Sequence, residues 1–462
     1  MPAITEIDVG DLDQLEKLAQ DESAERASAI QTAWDYYDRR MKRQLKVRPG
    51  QPDDNVMLGM AAKMVNQAVG LLFGQEPKLV LDGQAADALT GMWTDNRKML
   101  FLQNLGISGA LAGHCFVKVV PGIAGTRFVR LQSEQVSVYW QEDDIETVVA
   151  YKVQWRDGNI DKRQDIIDQG SYWLVRDLRR GYTDRRWQIA TETVWPWSWC
   201  PIVDWKNLPA PRQYYGVSDL VNPALNDATN FSASNINRII RFHAHPKTIG
   251  TGMNANQVQD TAVDGFWTIP SDTAKIFNLE MQSDLGGAMT FMNFVRGAFF
   301  SEHSAVDIDS LKDKLGQLTN FALRVLFYDA LLKLGLKRGL YEQGLIEISK
   351  RGLDMLGWGP EQNVTVEWGE PLPFNSLEEI NEIEKEIALG LLSKQTAAEM
   401  RGRDWDTEQK RMEDEASTED NIGSRLLRAF ENGQDINAGG RGRAADRVGS
   451  GIEGQTDAAV GA

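Results

Sequence analysis

Cysteines, histidines and long apolar runs are all scarce in this sequence of 462 residues. The two cysteines, Cys115 and Cys200, are too few for a disulfide framework, and their apolar neighbours predict buried free thiols. No uninterrupted apolar run approaches the ~20 residues that a bilayer-spanning helix needs. The acidic N-terminus also lacks the apolar core of a signal peptide. These absences predict a protein that is made in the cytoplasm and does not enter a membrane.

Common catalytic motifs are missing as well. The sequence contains no G-x-x-x-x-G-K-[ST] phosphate-binding loop, no H-E-x-x-H or C-x-x-C metal pattern and no G-x-S-x-G nucleophile motif. The acidic pairs Asp53–Asp54 and Asp143–Asp144 could bind the metal ion of a nuclease, although polar turns are the usual role of such pairs. We therefore expect no enzyme activity, no catalytic residues, no bound metal and no cofactor.

The charge balance is acidic. Asp and Glu outnumber Lys and Arg by 66 to 50, which gives a formal net charge of −16. Tight duplex binding comes from Lys and Arg that neutralise phosphates, so this balance excludes a protein whose whole surface clamps nucleic acid. It does not exclude a protein through which DNA merely passes.

The first 210 residues combine helical and strand patterns. A helix is predicted over "SAIQTAWDYYDRRMKRQLKV", and a second helix, ended by Gly74 and Pro77 and followed by a strand, over "VMLGMAAKMVNQAVGLLFGQEPKLVL". After another helix-like piece, "FLQNLGISGALAG", alternating apolar runs such as "HCFVKVVPG", "FVRLQ", "VSVYW" and "VVAYKVQW" predict strands. These patterns indicate an α+β domain.

The second half is mainly helical. Two helical segments, 217–243 and about 284–304, flank an insert with the strand candidates "GFWTIP" and "AKIFNLE". A long helical pattern over about 305–356 contains five glycines and should be kinked or broken. The strand pattern "NVTVEWGEPLP" follows, and capping signals predict helix starts at Ser376 and Ser393. The last thirty residues have no apolar period, which is typical of a disordered tail.

Five stretches occur in an order that resembles the portal proteins of tailed bacteriophages, of the shorter type. They are "NQAVGLLFGQEPKL", "ISGALAGHCFVKVV", "CPIVDWKNLP", "YYGVSDLVNPALNDATNFSASNINRI" and "LGLLSKQTAAEM". Each stretch alone is a weak motif. Together they cover most of residues 56–400, with a module inserted between two helices at the place where the family has one.

The resemblance implies an α+β portal fold with a division of the chain into named parts. These parts are the wing (1–215), a first stem helix (216–245), the clip (246–282), a second stem helix (283–304), the tunnel loop with the long wing helix and a wing strand (305–375), the crown (376–432) and a disordered tail (433–462).

The resemblance also implies a function. Portal proteins form a homo-oligomeric ring, usually of twelve subunits, at one capsid vertex of the virion, and double-stranded DNA is packaged and ejected through the channel. The expected partners are the terminase motor, the major capsid protein and head-completion or adaptor proteins. Two alternatives from the residues alone stay open, a metal-dependent nuclease and a capsid scaffold without a channel.

Two sets of residues are candidates for the channel. In the family, a loop after the second stem helix touches DNA, and by position its members here are Glu302, His303, Asp307, Asp309, Lys312 and Lys314. An exposed turn with ordinary charge pairs is the alternative for that loop. The first stem helix is rich in small polar residues, which suit close helix packing and a wet channel, and its channel-facing candidates are Asn226, Asn230, Ser234, Asn237 and Arg241.

Overall fold

The structure is a computed structural model that divides into two compact units, Met1–Pro373 and Phe374–Ala462. It describes residues 14–47, 49–50, 52–122, 125–141, 143–181, 184, 186–244, 247–251, 275–279, 285–311, 320–372, 376–400, 403–413 and 415. Among the predicted elements, the "GFWTIP" strand and the C-terminal tail lie outside the described residues.

The N-terminal part of the first unit is helical. It contains α1 (Gln14–Tyr37), α2 (Met60–Phe73), α3 (Ala86–Asp95) and α4 (Lys98–Ala112). The predicted start of the strand after α2 is confirmed, because β1 (Lys78–Val80) follows Gly74 and Pro77 directly. The first predicted helix is wrong at its C-terminal end. It stops at Tyr37, and Arg39 has a φ of 60°, in the left-handed region that a helix does not continue through.

Two antiparallel sheets follow the helices. Their strands are β2 (His114–Gly122), β3 (Gly125–Leu131), β4 (Val136–Trp140), β5 (Val148–Asp157), β6 (Ile160–Asp168), β7 (Trp173–Gly181), β8 (Gln188–Val194) and β9 (Ile202–Lys206). One sheet has the order β3-β2-β9 and the other is a meander from β4 to β8. Each predicted strand run in this region therefore forms a strand.

The middle of the first unit is two helices joined through a hairpin. Its elements are α5 (Ala224–Ala244), β10 (Lys247–Thr251), β11 (Lys275–Leu279) and α6 (Leu285–Glu302). β10 pairs antiparallel with β11, with Ile249 opposite Phe277, and α5 packs on α6. The strand predicted in "AKIFNLE" is confirmed, whereas β10 was not predicted. The first helix begins at Ala224, after Pro223, and not at residue 217.

The C-terminal part of the first unit pairs with its N-terminal part. A 3₁₀ turn (Ile308–Leu311), α7 (Asn320–Leu326), α8 (Tyr328–Met355) and β12 (Thr365–Glu367) complete it, and β12 pairs with β1. The predicted glycine breaks are wrong for α8, which is continuous. A Cβ at Gly344 would overlap the Trp205 indole, and a Cβ at Gly352 would overlap the Met92 sulfur, so these glycines permit close packing.

The main core lies where α2, α4 and α8 pack on β2. Val65, Phe73, Leu105 and Tyr341 are completely buried there. A second apolar cluster, which includes Phe116, joins the five-stranded sheet to β2 and β9. The two clusters hold both sheets and α8 in one body.

The second unit begins with α9 (Ser376–Ala388) and α10 (Lys394–Met400), and residues 405–413 are also helical. α9 starts at Ser376 as predicted. The hydroxyl of Ser393 accepts the Thr396 backbone N–H at 3.0 Å, so the second capping prediction is confirmed too.

Helices and antiparallel sheets in one chain confirm the predicted α+β class. In the part of the chain that the structure describes, no helix combines the length and the apolar character needed to cross a bilayer.

Candidate functional site

The polar face of α5 is buried under the chain that leads into α2. The Asn230 side-chain oxygen accepts the Leu58 backbone N–H at 2.8 Å, and the Ser234 hydroxyl accepts the Val56 N–H at 2.9 Å. Residues 52–59 form no helix or strand, so their backbone groups need partners elsewhere. The small polar side chains of α5 supply those partners.

Asn226 belongs to the same contact. Its side-chain amide donates to the Leu58 carbonyl at 3.2 Å, and its oxygen accepts the Ala61 N–H at 3.3 Å. Asn226, Asn230 and Ser234 are all 0% exposed. The assignment of these three residues as channel-facing is therefore wrong for this chain, because a buried side chain that bonds its own subunit does not line an open passage.

The last two stem candidates lie where α5 contacts Asp54. Asn237 donates to the Asp54 carbonyl at 3.1 Å, and Arg241 pairs with the Asp54 carboxylate at 2.8 Å. Arg238 also reaches this carboxylate, at 3.2 Å. The side chain of Asp54 is 6% exposed, so two cations neutralise a buried charge. Asn237 itself is exposed, and it remains a surface residue of α5.

His303 is buried in the turn that ends α6. Its Nδ1–H donates to the Phe299 carbonyl at 2.6 Å, and its Nε2 accepts the Asn222 backbone N–H at 3.2 Å. This pairing needs the neutral ring. Burial lowers the pKa of His303, and it outweighs the opposing hydrogen bond to Phe299. The assignment of His303 to a DNA-touching loop is wrong in this structure, whereas its neighbour Glu302 is exposed and accepts the Asn222 side-chain amide.

Asp307 and Asp309 tie the following segment to the helices. Asp307 pairs with Arg296 of α6 at 2.7 Å, and Asp309 pairs with Lys63 of α2. Arg296 also lies 3.6 Å from Asp309, so the four side chains form one cluster. The cluster holds residues 305–311 against α2 and α6. Lys312 and Lys314, the two cations predicted for the tunnel loop, lie outside the described residues.

A buried ion cluster that the sequence did not predict joins α8 to the segment before α5. Asp219 is 0% exposed, pairs with Lys337 at 2.5 Å and lies 2.9 Å from Lys333. Burial raises the pKa of Asp219, but the ammonium groups of Lys337 and Lys333 outweigh it and hold this pKa below its usual value. Lys333 also donates to the His303 carbonyl at 3.0 Å, so one cation connects both ends of the α5–α6 unit to α8.

A second buried polar network centres on Asp204 of β9. His114 donates from Nε2 at 2.7 Å, and the hydroxyls of Tyr151 and Tyr214 donate at 2.6 and 2.5 Å. The other His114 nitrogen accepts the Gly216 N–H at 3.3 Å. This network fastens residue 216 to both sheets. It borders an open cavity of about 480 Å³ whose lining includes Tyr151, Asp204 and Arg351.

Arg351, at the edge of this cavity, is committed to internal bonds. Arg351 donates to the carbonyls of Cys200 and Ile202 and pairs with Glu347. Burial raises the pKa of the Cys200 thiol to about 12, so the thiol is not an activated nucleophile. Cys115 is likewise free and buried, with a pKa raised to about 12 by burial. Both thiols therefore agree with their predicted packing role.

The acidic pairs weighed for a nuclease have other partners. The Asp53 carboxylate accepts the Asn55 N–H, Asp54 pairs with the two arginines of α5, and Asp144 accepts the Glu146 N–H. Among the described residues, no three His, Cys, Asp or Glu side chains converge as a metal site would require.

A comparison with protein families gives one match. The family described as "Phage portal protein, SPP1 Gp6-like" matches residues 16–421. No curated protein matches the sequence.

The chain is also similar to solved structures from gene transfer agent (GTA) particles. The neck of an empty GTA particle, computed with C6 symmetry, is 14% identical with a TM-score of 0.49, over 74% of this chain and 90% of that one. A chain from the virion of a native GTA particle is 13% identical with a TM-score of 0.46, over 82% and 99%. The neck of a native particle, computed with C12 symmetry, is 14% identical with a TM-score of 0.44, over 74% and 89%.

Proposed function

Because the chain belongs to the SPP1 Gp6-like family of phage portal proteins, we propose that it forms a ring, with twelve copies as the expected number, at one capsid vertex of a virion. The channel of this ring passes double-stranded DNA during packaging and ejection. The terminase motor, the major capsid protein and head-completion or adaptor proteins dock on its outside. The observation that carries this proposal is the family match over 16–421.

The observed elements suggest where the parts of a portal lie. The two stem helices correspond to α5 and α6, and the β10–β11 hairpin between them belongs to the clip at 246–282. The wing combines the sheets and helices of residues 1–215 with β12, which pairs with β1. α8 is the long wing helix, and the crown spans 376–432.

The charge of the chain suits a conduit. Twelve copies with a net charge of −16 would carry about −190, which repels DNA at long range and discourages permanent binding. Salt screens this repulsion beyond about 10 Å, so only groups that approach the duplex closely act on it individually.

Lys312 and Lys314 are the residues we assign to such a close approach. They follow directly after the segment that Asp307 and Asp309 tie to Arg296 and Lys63. The resemblance to portal proteins implies that the loop at this position touches DNA, whereas His303 is buried and does not take part. We therefore propose a smaller DNA-contacting set than the sequence suggested.

The proposal is tested by electron microscopy and mass measurement of the purified protein, followed by a DNA-packaging assay. We expect closed rings by electron microscopy and no DNA cleavage with divalent metal present. A monomer that cleaves DNA would support the nuclease, and shells or sheets would support the scaffold without a channel.

A paired substitution tests the conduit itself. Lys312→Glu with Lys314→Glu should leave rings intact and lower DNA packaging or retention. The exposed pair Lys42 and Lys46, changed to Glu in the same way, is the matched control and should package normally. An effect of the Lys312 and Lys314 variant on ring assembly alone would show that these residues serve subunit packing.

A further inference from the structure

An apolar stripe runs along α7 and the first half of α8 on the surface of the chain. Its members recur at intervals of four, three, four and four residues, which places them on one helix face. Each is more than half exposed: Phe321 76%, Val325 59%, Tyr328 60%, Leu332 54% and Leu336 56%. The described part of the chain leaves this stripe uncovered.

The stripe continues from α7 into α8 because the backbone keeps its helical hydrogen bonds across the junction between them. Phe327 lies between the two helices, yet its N–H donates to the Leu323 carbonyl at 3.0 Å and its carbonyl accepts the Leu331 N–H at 2.8 Å. These are helical bonds, so α7 and α8 follow one path. From Phe321 to Leu336 the stripe is about 22 Å long at 1.5 Å per residue.

Such a stripe is costly to leave in water. Five large side chains, each more than half exposed, present on the order of 500 Å² of apolar surface. That is close to the largest apolar patches of ordinary monomers, and it approaches the ~800 Å² that each partner contributes to a standard protein interface. The area is sufficient for the centre of a stable contact between subunits.

α6 carries a second set of exposed apolar side chains, shorter than the stripe, which we call the α6 face. Met289, Phe291 and Phe294 are 47%, 57% and 71% exposed. Arg296 and Glu302 are the only charged residues of this helix, and they bond Asp307 and Asn222 of their own chain. The α6 face therefore offers no charge that would have to be desolvated without a partner.

Glycines allow the two faces to approach closely. A Cβ built at Gly297 of α6 would meet nothing within 4 Å, and the same holds for Gly335 and Gly339 beside the stripe. Gaps in the side-chain surface beside large aromatic residues are the arrangement that lets one helix insert its side chains into another.

We propose that the stripe on α7 and α8 packs against the α6 face of a neighbouring copy of this chain. The inference rests on the proposed ring and names the surfaces that close it. A ring formed by head-to-tail contacts needs two different, complementary patches on every subunit. The stripe and the α6 face are two such patches, both exposed and mainly apolar.

The test uses thiol cross-linking with a short bis-maleimide. The native Cys115 and Cys200 are buried and their pKa is raised to about 12, so they contribute no background reaction. The double variant Phe294→Cys with Leu332→Cys should give a ladder of cross-linked species up to the full ring. The two single variants should give no product alone and dimers only when they are assembled together.

A further pair tests another occupant of the stripe. Leu389 in the second unit is 74% exposed, so Leu332→Cys with Leu389→Cys would cross-link if that unit covered the stripe instead. Cross-linking of this pair in place of the Phe294 pair would overturn the proposal. Dimers from either single variant alone would also overturn it, because they indicate contact between identical faces.

Charge substitution gives an independent measurement. Leu332→Glu with Leu336→Glu should reduce the ring fraction at least tenfold by mass photometry while the circular dichroism of the subunit stays unchanged. Val194→Glu, at a position 58% exposed on β8, is the control and should assemble normally. Rings of normal mass without the predicted cross-links would refute this interface and leave the portal function standing, whereas a wild-type chain that stays monomeric would refute both.

Discussion

Lys337 of α8 donates a hydrogen bond at 2.5 Å to the carboxylate of Asp219, and neither side chain is exposed by more than 2%. Asp219 lies five residues before α5, and its backbone N–H donates to the Ala110 carbonyl of α4 at 2.7 Å. One carboxylate thus connects the segment that leads into α5 to α4 and to the long helix α8.

Removal of Asp219 should destabilise the chain strongly. Asp219→Ala leaves Lys337 buried without its counter-charge and deprives Lys333 of a partner, and breaking a buried pair in this way costs about 3–5 kcal/mol. Urea unfolding of the first unit measures the change. Asp309→Ala is the control, because Asp309 is 42% exposed and its ion pairs are worth about 1 kcal/mol or less. Equal losses in the two variants would contradict the assigned role of Asp219.

The α5 contact with residues 54–61 makes a second prediction. Asn230→Ala leaves the part-buried Leu58 N–H without its acceptor, and the loss of such a hydrogen bond costs about 0.5–1.5 kcal/mol. Asn237→Ala removes a bond from an exposed side chain and should cost a few tenths of a kcal/mol. Hydrogen exchange at Leu58 reports the lost bond directly, and we expect faster exchange in the Asn230 variant alone. Unchanged protection of Leu58 there would show that the bond does not form in solution.

The same contact shows what the sequence could and could not predict. The apolar period of α5 predicts a helix, and Asn226, Asn230 and Ser234 recur every four residues on one face, which indicates a specialised surface. The partner of that surface was not predictable, because residues 52–59 have no period and lie more than 160 positions away along the chain. A wet channel and an irregular segment packed on the helix both favour small polar residues, so the pattern alone does not distinguish them.

Local signals account for the parts that were predicted. Gly74 and Pro77 end α2, and Ser393 caps α10, since both effects act within a turn. Gly344 and Gly352 of α8 were misjudged because their packing partners, Trp205 and Met92, come from other elements. Asp219 was overlooked for the same reason, as nothing near it in sequence indicates two lysines more than 100 positions away.

Alanine substitutions at glycines of two helices should have opposite effects. Gly344→Ala would place a methyl group inside the Trp205 indole, and overpacking of this kind costs about 1–3 kcal/mol despite the better helix propensity of alanine. Gly70 of α2 is exposed with nothing within 4 Å, so Gly70→Ala should stabilise the chain by about 1 kcal/mol. Thermal unfolding measures both changes. A stabilising Gly344→Ala would mean that α8 and β9 are further apart than the structure indicates.

Stability should fall as the pH falls below 6.5, partly because of His303. In the folded chain the ring must be neutral, since Nδ1 donates to Phe299 and Nε2 accepts from Asn222. Burial and the nearby charge of Lys333 lower its pKa, against the opposing effects of the Phe299 hydrogen bond and of the Glu302 and Asp219 charges. In the unfolded chain the ring titrates near the ordinary value of 6.5.

Between 6.5 and the lowered folded pKa the unfolded state binds more protons, so the free energy of unfolding decreases as the pH decreases. Above 6.5 the contribution of His303 to this dependence vanishes. Urea titrations at pH 7.5 and 5.5 should therefore show a lower midpoint at pH 5.5, and His303→Asn should narrow that difference although it weakens the chain at both values. His114, which is also buried with a lowered pKa, accounts for part of the remaining difference. The same difference in the variant and the wild type would show that His303 accepts a proton in the folded chain as readily as in the unfolded one.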